Sequence, residues 1–127
     1  MTNILDILAC PLCSGKLSCD GGSLKCALGH TFDIAKSGYV NLLPPGKGKN
    51  SHTGDERDMV KARADFLSRG YYDRLDTRSA EIISDMPQDE MTLVDMGAGE
   101  GRHTLKTTSE LISRGKKMLS VGFDASK

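Results

Sequence analysis

The chain has 127 residues, and its 17 basic and 17 acidic side chains give a formal net charge of zero. This balance excludes a strongly basic nucleic-acid-binding arm and a disordered acidic tail. No apolar run approaches the roughly 20 residues that a membrane-spanning helix needs, so no membrane partner is expected. The N-terminal sequence lacks the positively charged start of a secretory signal, which favours a cytoplasmic location.

All four cysteines lie in the first 26 residues, and three of them form a metal-ligand pattern with a histidine. Cys10 and Cys13 make a Cys-x2-Cys turn, and Cys26 and His30 make a Cys-x3-His turn after twelve intervening residues. Zinc prefers four such ligands in a tetrahedron, so we predict one zinc ion on these four residues. A closed ligand set leaves no position for water, and the zinc is therefore expected to be structural.

The residues between the two ligand pairs predict the hairpin of a zinc ribbon. Residues 16–26 read as a strand, a two-glycine turn and a second strand. Cys19 lies inside this hairpin, and using it as a ligand in place of His30 would lose the compact second turn. A redox role for the first cysteine pair is disfavoured because no strand–helix pattern surrounds it. The ribbon is expected to be too small for its own core and to fold only with metal.

The middle of the chain predicts a linker and two helices. Residues 44–54 concentrate proline, glycine and polar side chains, which is typical of a flexible linker. Residues 53–56 resemble a capping box that begins a helix, and apolar residues then recur at helical spacing until Gly70. A second helix fits residues 72–86 and ends at Pro87. Both are interpreted as amphipathic helices that cover a core.

The last third of the chain has the pattern of a nucleotide-binding unit. Residues 92–101 read as a short buried strand that ends in a glycine turn. A helix and a second strand follow, and Asp124 comes directly after that strand. This order of strand, glycine turn, helix, strand and acid is the first half of a nucleotide-binding α/β unit. An ordinary strand–helix turn is the alternative interpretation.

The acid before the turn distinguishes two ligand classes. Asp95 stands two residues before the first glycine, an arrangement used for S-adenosylmethionine. The third glycine comes one residue too early for the Gly-x-Gly-x-x-Gly pattern of nicotinamide-dependent oxidoreductases, which are therefore disfavoured. We expect Asp95 and the turn backbone to hold the methionine end, directly or through water, and Asp124 to contact the ribose. The glycines of the turn are Gly97, Gly99 and Gly101.

Taken together, these motifs resemble the N-terminal part of the bacterial 23S ribosomal RNA (guanine-N1)-methyltransferases. The resemblance covers nearly the whole chain. It rests on residues 10–13, 26–30, 31–43, 54–55, 62–63, 66–67, 94–101 and 122–127, together with Gly70 and Tyr72. It implies an α/β fold in which a zinc ribbon is followed by helices and by the first β-α-β unit of a Rossmann-like methyltransferase domain.

The resemblance also implies domains, substrates and residue roles. The domains are a zinc ribbon at 1–43, a linker at 44–54, and an incomplete S-adenosylmethionine-dependent domain at 55–127 preceded by its helical connection. The activity is methylation of guanine N1 in a 23S rRNA hairpin that the ribbon helps to recognise. The implied cofactor contacts come from Tyr72, Gly99 and Glu100, with Asp124 at the ribose, and no catalytic residue can be named. A second copy of the chain, in a homodimer, is the other partner considered.

Departures from the family pattern modify these expectations. Ala98 stands where the family commonly has cysteine, and Arg102 and His103 stand where it often has aromatic residues. Family members are also much longer, so the chain is expected to be a fragment that is inactive alone and exposes a strand edge at residues 91–96. The alternative function is a zinc-ribbon RNA- or protein-binding module whose glycine turn is vestigial.

Overall fold

The structure, a computed structural model, describes residues 3–44 and 56–125. The chain divides into two compact units, separated between residues 51 and 52. We call the described residues 3–44 the front unit and 56–125 the rear unit. Most of the predicted linker, and of the predicted capping box, falls in residues 45–55, outside the described residues.

The front unit is a three-stranded antiparallel sheet preceded by a short helix. Its elements are α1 (Ile4–Ile7), β1 (Leu17–Asp20), β2 (Ser23–Cys26) and β3 (Thr31–Asp33), with sheet order β1-β2-β3. The predicted hairpin is confirmed, and Gly21 and Gly22 form its turn with φ angles of +56° and +96°. Helix α1 and strand β3 were not predicted. The Asn3 side chain caps α1 by accepting a hydrogen bond from the Leu5 N–H at 3.0 Å.

A small apolar core joins the strands of the front unit to its two cysteine turns. The buried members are Cys10, Leu17, Leu24, Cys26 and Phe32. Leu24 and Cys26 are two residues apart on β2 and therefore face the same side of the sheet. The expectation that the ribbon has no core of its own is wrong, because β3 supplies Phe32 to a core that also contains two predicted metal ligands.

The rear unit consists of two helices followed by a β-α-β unit, which confirms the predicted α/β fold. Its elements are α2 (Arg57–Ser68), α3 (Asp73–Ser84), β4 (Glu90–Met96), α4 (Arg102–Ser113) and β5 (Lys117–Phe123). Strands β4 and β5 are parallel, with Glu90 opposite Lys117 and Met96 opposite Phe123. Helix α2 begins directly after Glu56, whose side chain makes no capping hydrogen bond, and the other three residues of the predicted capping box lie outside the described residues.

Strand β4 is more exposed than its apolar sequence predicts. Val94 is 49% exposed and Met96 is 75% exposed, so the expectation of a buried strand is wrong. Parallel strands are normally covered on both faces and paired on both edges. Among the described strands, β4 pairs only with β5, which confirms the expected open edge. No helix within residues 3–44 and 56–125 has the length and apolar character needed to cross a bilayer.

Candidate metal centre and glycine-turn cleft

Four side chains of the front unit converge on one point. The potential ligand atoms of Cys10, Cys13, Cys26 and His30 all lie within 4.8 Å of one another. The Sγ atoms of Cys10 and Cys26 lie 3.5 and 3.3 Å from Nδ1 of His30. Tetrahedral zinc bonds of about 2.0–2.3 Å would place the ligand atoms roughly 3.3–3.8 Å apart. The cluster therefore has the chemistry and the spacing of a Cys3His zinc site.

Two backbone turns direct these ligands toward one another. In the first turn the Ser14 N–H donates to the Cys10 carbonyl at 2.7 Å. In the second, the Gly29 N–H donates to the Cys26 carbonyl at 3.0 Å, and the φ angle of +81° at Gly29 favours glycine. Cys19 is exposed on β1 and lies outside the cluster, as expected of an ordinary strand residue.

The thiols of the cluster differ in their readiness to ionise. Burial raises the pKa of Cys26, but hydrogen bonds from the backbone of His30 and Leu28 and from neighbouring thiols outweigh it and lower the pKa to about 6. The Gly15 backbone lowers the pKa of Cys13, yet burial and the neighbouring thiols together raise it above its usual value. Because zinc binds thiolates, metal binding releases the proton of every thiol in the cluster that is still protonated.

The glycine turn of the rear unit connects β4 to α4 and is held against the end of β5. Gly97, Gly99 and Gly101 have φ angles of +88°, +59° and +79°, a backbone region that favours glycine. The N–H groups of Gly97 and Ala98 both donate to the Phe123 carbonyl, at 2.7 and 2.9 Å. A Cβ built on Gly97 or Gly101 would meet no atom within 4 Å, so the turn borders open space there.

A cleft of about 390 Å³ opens beside this turn. This volume falls within the range of roughly 300–1,000 Å³ that is typical of small-molecule sites. The residues that line it come from α2, the start of α3, the turn and α4: Arg63, Phe66, Leu67, Tyr72, Gly97, Ala98, Gly99, Glu100 and His103. Four of the predicted cofactor residues, Tyr72, Gly97, Gly99 and Glu100, thus share one cavity. The two helices before the β-α-β unit form part of this site.

The two predicted acids border the turn rather than the cleft. Oδ2 of Asp124 accepts a hydrogen bond from the Gly99 N–H at 2.7 Å, so this acid lies against the middle of the turn. Oδ2 of Asp95 accepts a hydrogen bond from the Thr104 hydroxyl in the first turn of α4. Asp95 therefore ties the end of the strand to the start of the helix. Gly101, directly before α4, likewise lies outside the cleft lining.

A buried carboxylate behind the cleft was missed by sequence reasoning. Asp76 on α3 is 2% exposed, and its Oδ1 lies 2.6 Å from Nδ1 of His103. Its Oδ2 has no hydrogen-bond partner among the described residues, and Nη1 of Arg102 lies 3.8 Å away as a counter-charge. The His103 ring lies edge-on to Tyr72, with centroids 5.7 Å apart. Arg102 and His103, two of the three residues that depart from the family pattern, therefore form a polar wall with Asp76, and the His103 ring places this wall beside Tyr72.

Asp73 extends this wall at the start of α3. Nη2 of Arg102 donates to Oδ1 of Asp73 at 2.8 Å, and Nζ of Lys106 pairs with Oδ2. The hydrogen bonds from Lys106 and Arg102 hold the pKa of Asp73 below its usual value. The signal that could have revealed this network is the spacing of acids three apart on α3 and bases four apart on α4, since each set occupies one helical face.

Comparison with known proteins finds matches that cover both units of the chain. The zinc-ribbon family model described as RlmA, N-terminal, matches residues 8–52. The 23S rRNA (guanine(748)-N(1))-methyltransferase of Streptomyces fradiae is 36% identical over 113 residues, covering 85% of this chain and 38% of that protein. A Micromonospora griseorubida protein named for 23S rRNA (guanine-N1) methylation is 38% identical, with 80% and 39% covered. A Bacillus subtilis (strain 168) protein named for the same reaction is 35% identical, with 93% and 42% covered.

These matches confirm the resemblance drawn from the motifs. The chain spans about two fifths of the length of the curated relatives it matches. The zinc-ribbon match contains all four residues of the Cys3His cluster, and the relatives' alignments extend over most of the chain. Over the length that it spans, the chain is similar to the bacterial 23S rRNA (guanine-N1)-methyltransferases.

Proposed function

We propose that the chain is part of an S-adenosylmethionine-dependent enzyme that methylates N1 of a guanine in a 23S rRNA hairpin. The observation that carries this proposal is the glycine turn, which is bonded to Asp124 through the Gly99 N–H at 2.7 Å and opens on a cleft lined by Tyr72. A turn without side chains lets a ligand approach the backbone closely. The names of the relatives support guanine N1 of 23S rRNA as the target.

We assign the two ends of this cofactor to different residues of the rear unit. In this proposal Asp124, which follows β5 and is bonded to the Gly99 N–H, accepts hydrogen bonds from the ribose hydroxyls, while Tyr72 and the turn backbone line the space for the rest of the molecule. When bound, S-adenosylmethionine supplies an activated methyl group. The chain's contribution is to bind and orient the ligand and to exclude water from it. Asp95 contributes indirectly, because it holds the start of α4 through Thr104.

The front unit would act as an RNA-recognition module built around structural zinc. Cys10, Cys13, Cys26 and His30 supply four ligands, which completes a tetrahedral shell. Residues 1–50 carry five basic and three acidic side chains, so their net charge is only weakly positive. Recognition of an rRNA hairpin would therefore rely on the shape of the ribbon and on local contacts more than on bulk charge.

Calorimetry with the zinc-loaded chain tests cofactor binding. We expect S-adenosylmethionine to bind with a micromolar Kd, and Asp124→Ala to abolish binding. Asp85→Ala is the matched control, since Asp85 is an exposed acid at the end of α3, outside the cleft lining. Absence of binding to the unaltered chain would favour the alternative, a zinc-ribbon RNA- or protein-binding module. Binding of NADH instead would favour an oxidoreductase.

Methyl transfer is a separate question from binding. We expect the 127-residue chain to bind the cofactor without methylating RNA, because β4 pairs only with β5 among the described strands and leaves its other edge open. Detection of N1-methylguanine after incubation with a 23S rRNA hairpin would contradict this expectation. A homodimer stays a prediction, and analytical ultracentrifugation measures it directly.

A further inference from the structure

The cleft lining contains one permanent positive charge. Of the nine described residues that line it, Arg63 on α2 is the one whose side chain is always cationic, and Glu100 is the one carboxylate. Aromatic rings from Phe66 and Tyr72 lie in the same lining, with centroids 6.2 Å apart. The cleft therefore offers a cation and an anion beside an apolar wall.

Arg63 lies close to the middle of the glycine turn. A Cβ built on Gly99 would lie 3.6 Å from Nη1 of Arg63, and the backbone N–H of the same glycine donates to Asp124. Gly99 thus contacts an acid at the end of β5 and lies next to a guanidinium from α2. A ligand that crosses this glycine would meet an acidic group and a basic group in turn.

We propose that Arg63 binds the carboxylate of the cofactor's amino-acid end. This inference rests on the proposed function, because it takes S-adenosylmethionine as the ligand. With Asp124 at the ribose, the amino-acid end would extend past Gly99 into the cleft. A carboxylate is repelled by Glu100 and attracted by Arg63, whose planar guanidinium can donate two parallel hydrogen bonds to it. Glu100 is then the complement of the ammonium group.

The position of Asp95 agrees with this assignment. The sequence predicts that Asp95 acts at the methionine end, directly or through water; in the structure its carboxylate accepts the Thr104 hydroxyl, and Asp95 is not among the residues that line the cleft. An acid could in any case attract only the ammonium group, not the carboxylate. The anion at that end needs a cation, and α2 supplies it.

Two related probes isolate the contact in calorimetry on the full zinc-loaded chain. S-adenosylhomocysteine has the amino-acid end, whereas 5′-methylthioadenosine keeps the adenosine and the sulfur but lacks that end. We expect Arg63→Gln to weaken binding of S-adenosylhomocysteine by about 10- to 100-fold, the usual range for a charged hydrogen bond. Binding of 5′-methylthioadenosine should change by less than about twofold. Arg63→Lys should give an intermediate loss, because it keeps the charge without the paired donors.

Arg69→Gln is the matched control, since Arg69 ends α2 outside the cleft lining. It should leave binding of both probes unchanged. Equal weakening of both probes by Arg63→Gln would show that the side chain only supports the fold, and unchanged binding of S-adenosylhomocysteine would exclude the contact. If the unaltered chain binds neither probe, the proposed function fails together with this inference. If it binds both and only the Arg63 pattern is absent, the proposed function stands and this inference alone is overturned.

Discussion

The two units of the chain complete their cores to different extents. The front unit buries five apolar side chains among 42 described residues, whereas the rear unit buries three among 70. The buried apolar residues of the rear unit are Leu67, Ala80 and Leu111. The front unit buries more apolar side chains because two turns and three strands enclose one small space around the cysteines. A two-stranded parallel sheet with one crossover helix cannot cover both of its faces in the same way.

Removal of zinc should have the largest effect on stability. It should unfold the front unit and leave the rear unit folded. Structural zinc contributes about 10–16 kcal/mol in small zinc-binding domains, so we expect Cys10→Ser to unfold the front unit. The amide signals of residues 3–44 should lose their chemical-shift dispersion, while cofactor binding by the rear unit should persist. Cys19→Ser is the control, because Cys19 is exposed and outside the cluster. A purified chain with less than one zinc per molecule would contradict the assigned metal site.

The rear unit should depend most on Leu111. This side chain is 0% exposed on α4, and its truncation to alanine leaves a cavity that typically costs about 2–5 kcal/mol. Leu105 lies on the same helix but is 70% exposed, so Leu105→Ala should change stability by less than about 0.5 kcal/mol. Denaturant unfolding followed by circular dichroism measures both. Equal losses for the two variants would mean that α4 does not bury the face the structure assigns to it.

Loss of the buried carboxylate should be the next largest effect. Asp76→Asn keeps the shape of the side chain but removes the charge that faces His103 and Arg102, and we expect a loss of about 1–3 kcal/mol. The imidazole ¹⁵N shifts of His103 should change with it, because Nδ1 loses its carboxylate partner. Asp85→Asn, at an exposed position, is the control. Unchanged imidazole shifts would indicate that the two side chains do not interact in solution.

A smaller, pH-dependent effect is expected at Asp73. Its pKa is lowered by Lys106 and Arg102, so the folded state favours the charged form. The stabilisation is fully present above the unfolded pKa of about 3.9 and is lost as the pH falls through the lower folded value. The stability difference between the unaltered chain and Asp73→Asn should therefore be constant above about pH 5 and shrink in more acidic solution. A difference that grows toward low pH would reverse the assigned sign.

Features that arise from neighbouring residues could be predicted from the sequence. The Cys-x2-Cys and Cys-x3-His turns bring their ligands together within a few residues, so spacing alone identified the cluster. The glycine turn was likewise predictable. Positive φ angles favour glycine, so the turn appears in the sequence as the regular spacing of Gly97, Gly99 and Gly101. The ends of α2 at Ser68 and of α3 at Ser84 come shortly before Gly70 and Pro87, two residues that favour helix termination.

Features that depend on packing between distant residues could not be predicted. The Asp76–His103 contact joins residues 27 apart and exists only because α3 packs against α4. Strand β3 has only three residues, so its alternation of exposed and buried side chains is too short to predict a strand, and its Phe32 enters the core beside Leu24. Burial of β4 was overestimated because the apolar character of a strand says nothing about what covers it.

The ladder registers also have a consequence for the order of folding. Paired residues of the front sheet lie 3 to 10 positions apart, whereas those of β4 and β5 lie 27 apart. Contacts between near neighbours require less loop closure and form sooner. During synthesis the front unit can therefore assemble and take up zinc before strand β5 has left the ribosome. The ribosome-bound chain would then carry a finished metal-binding unit ahead of a glycine turn that still lacks its second strand.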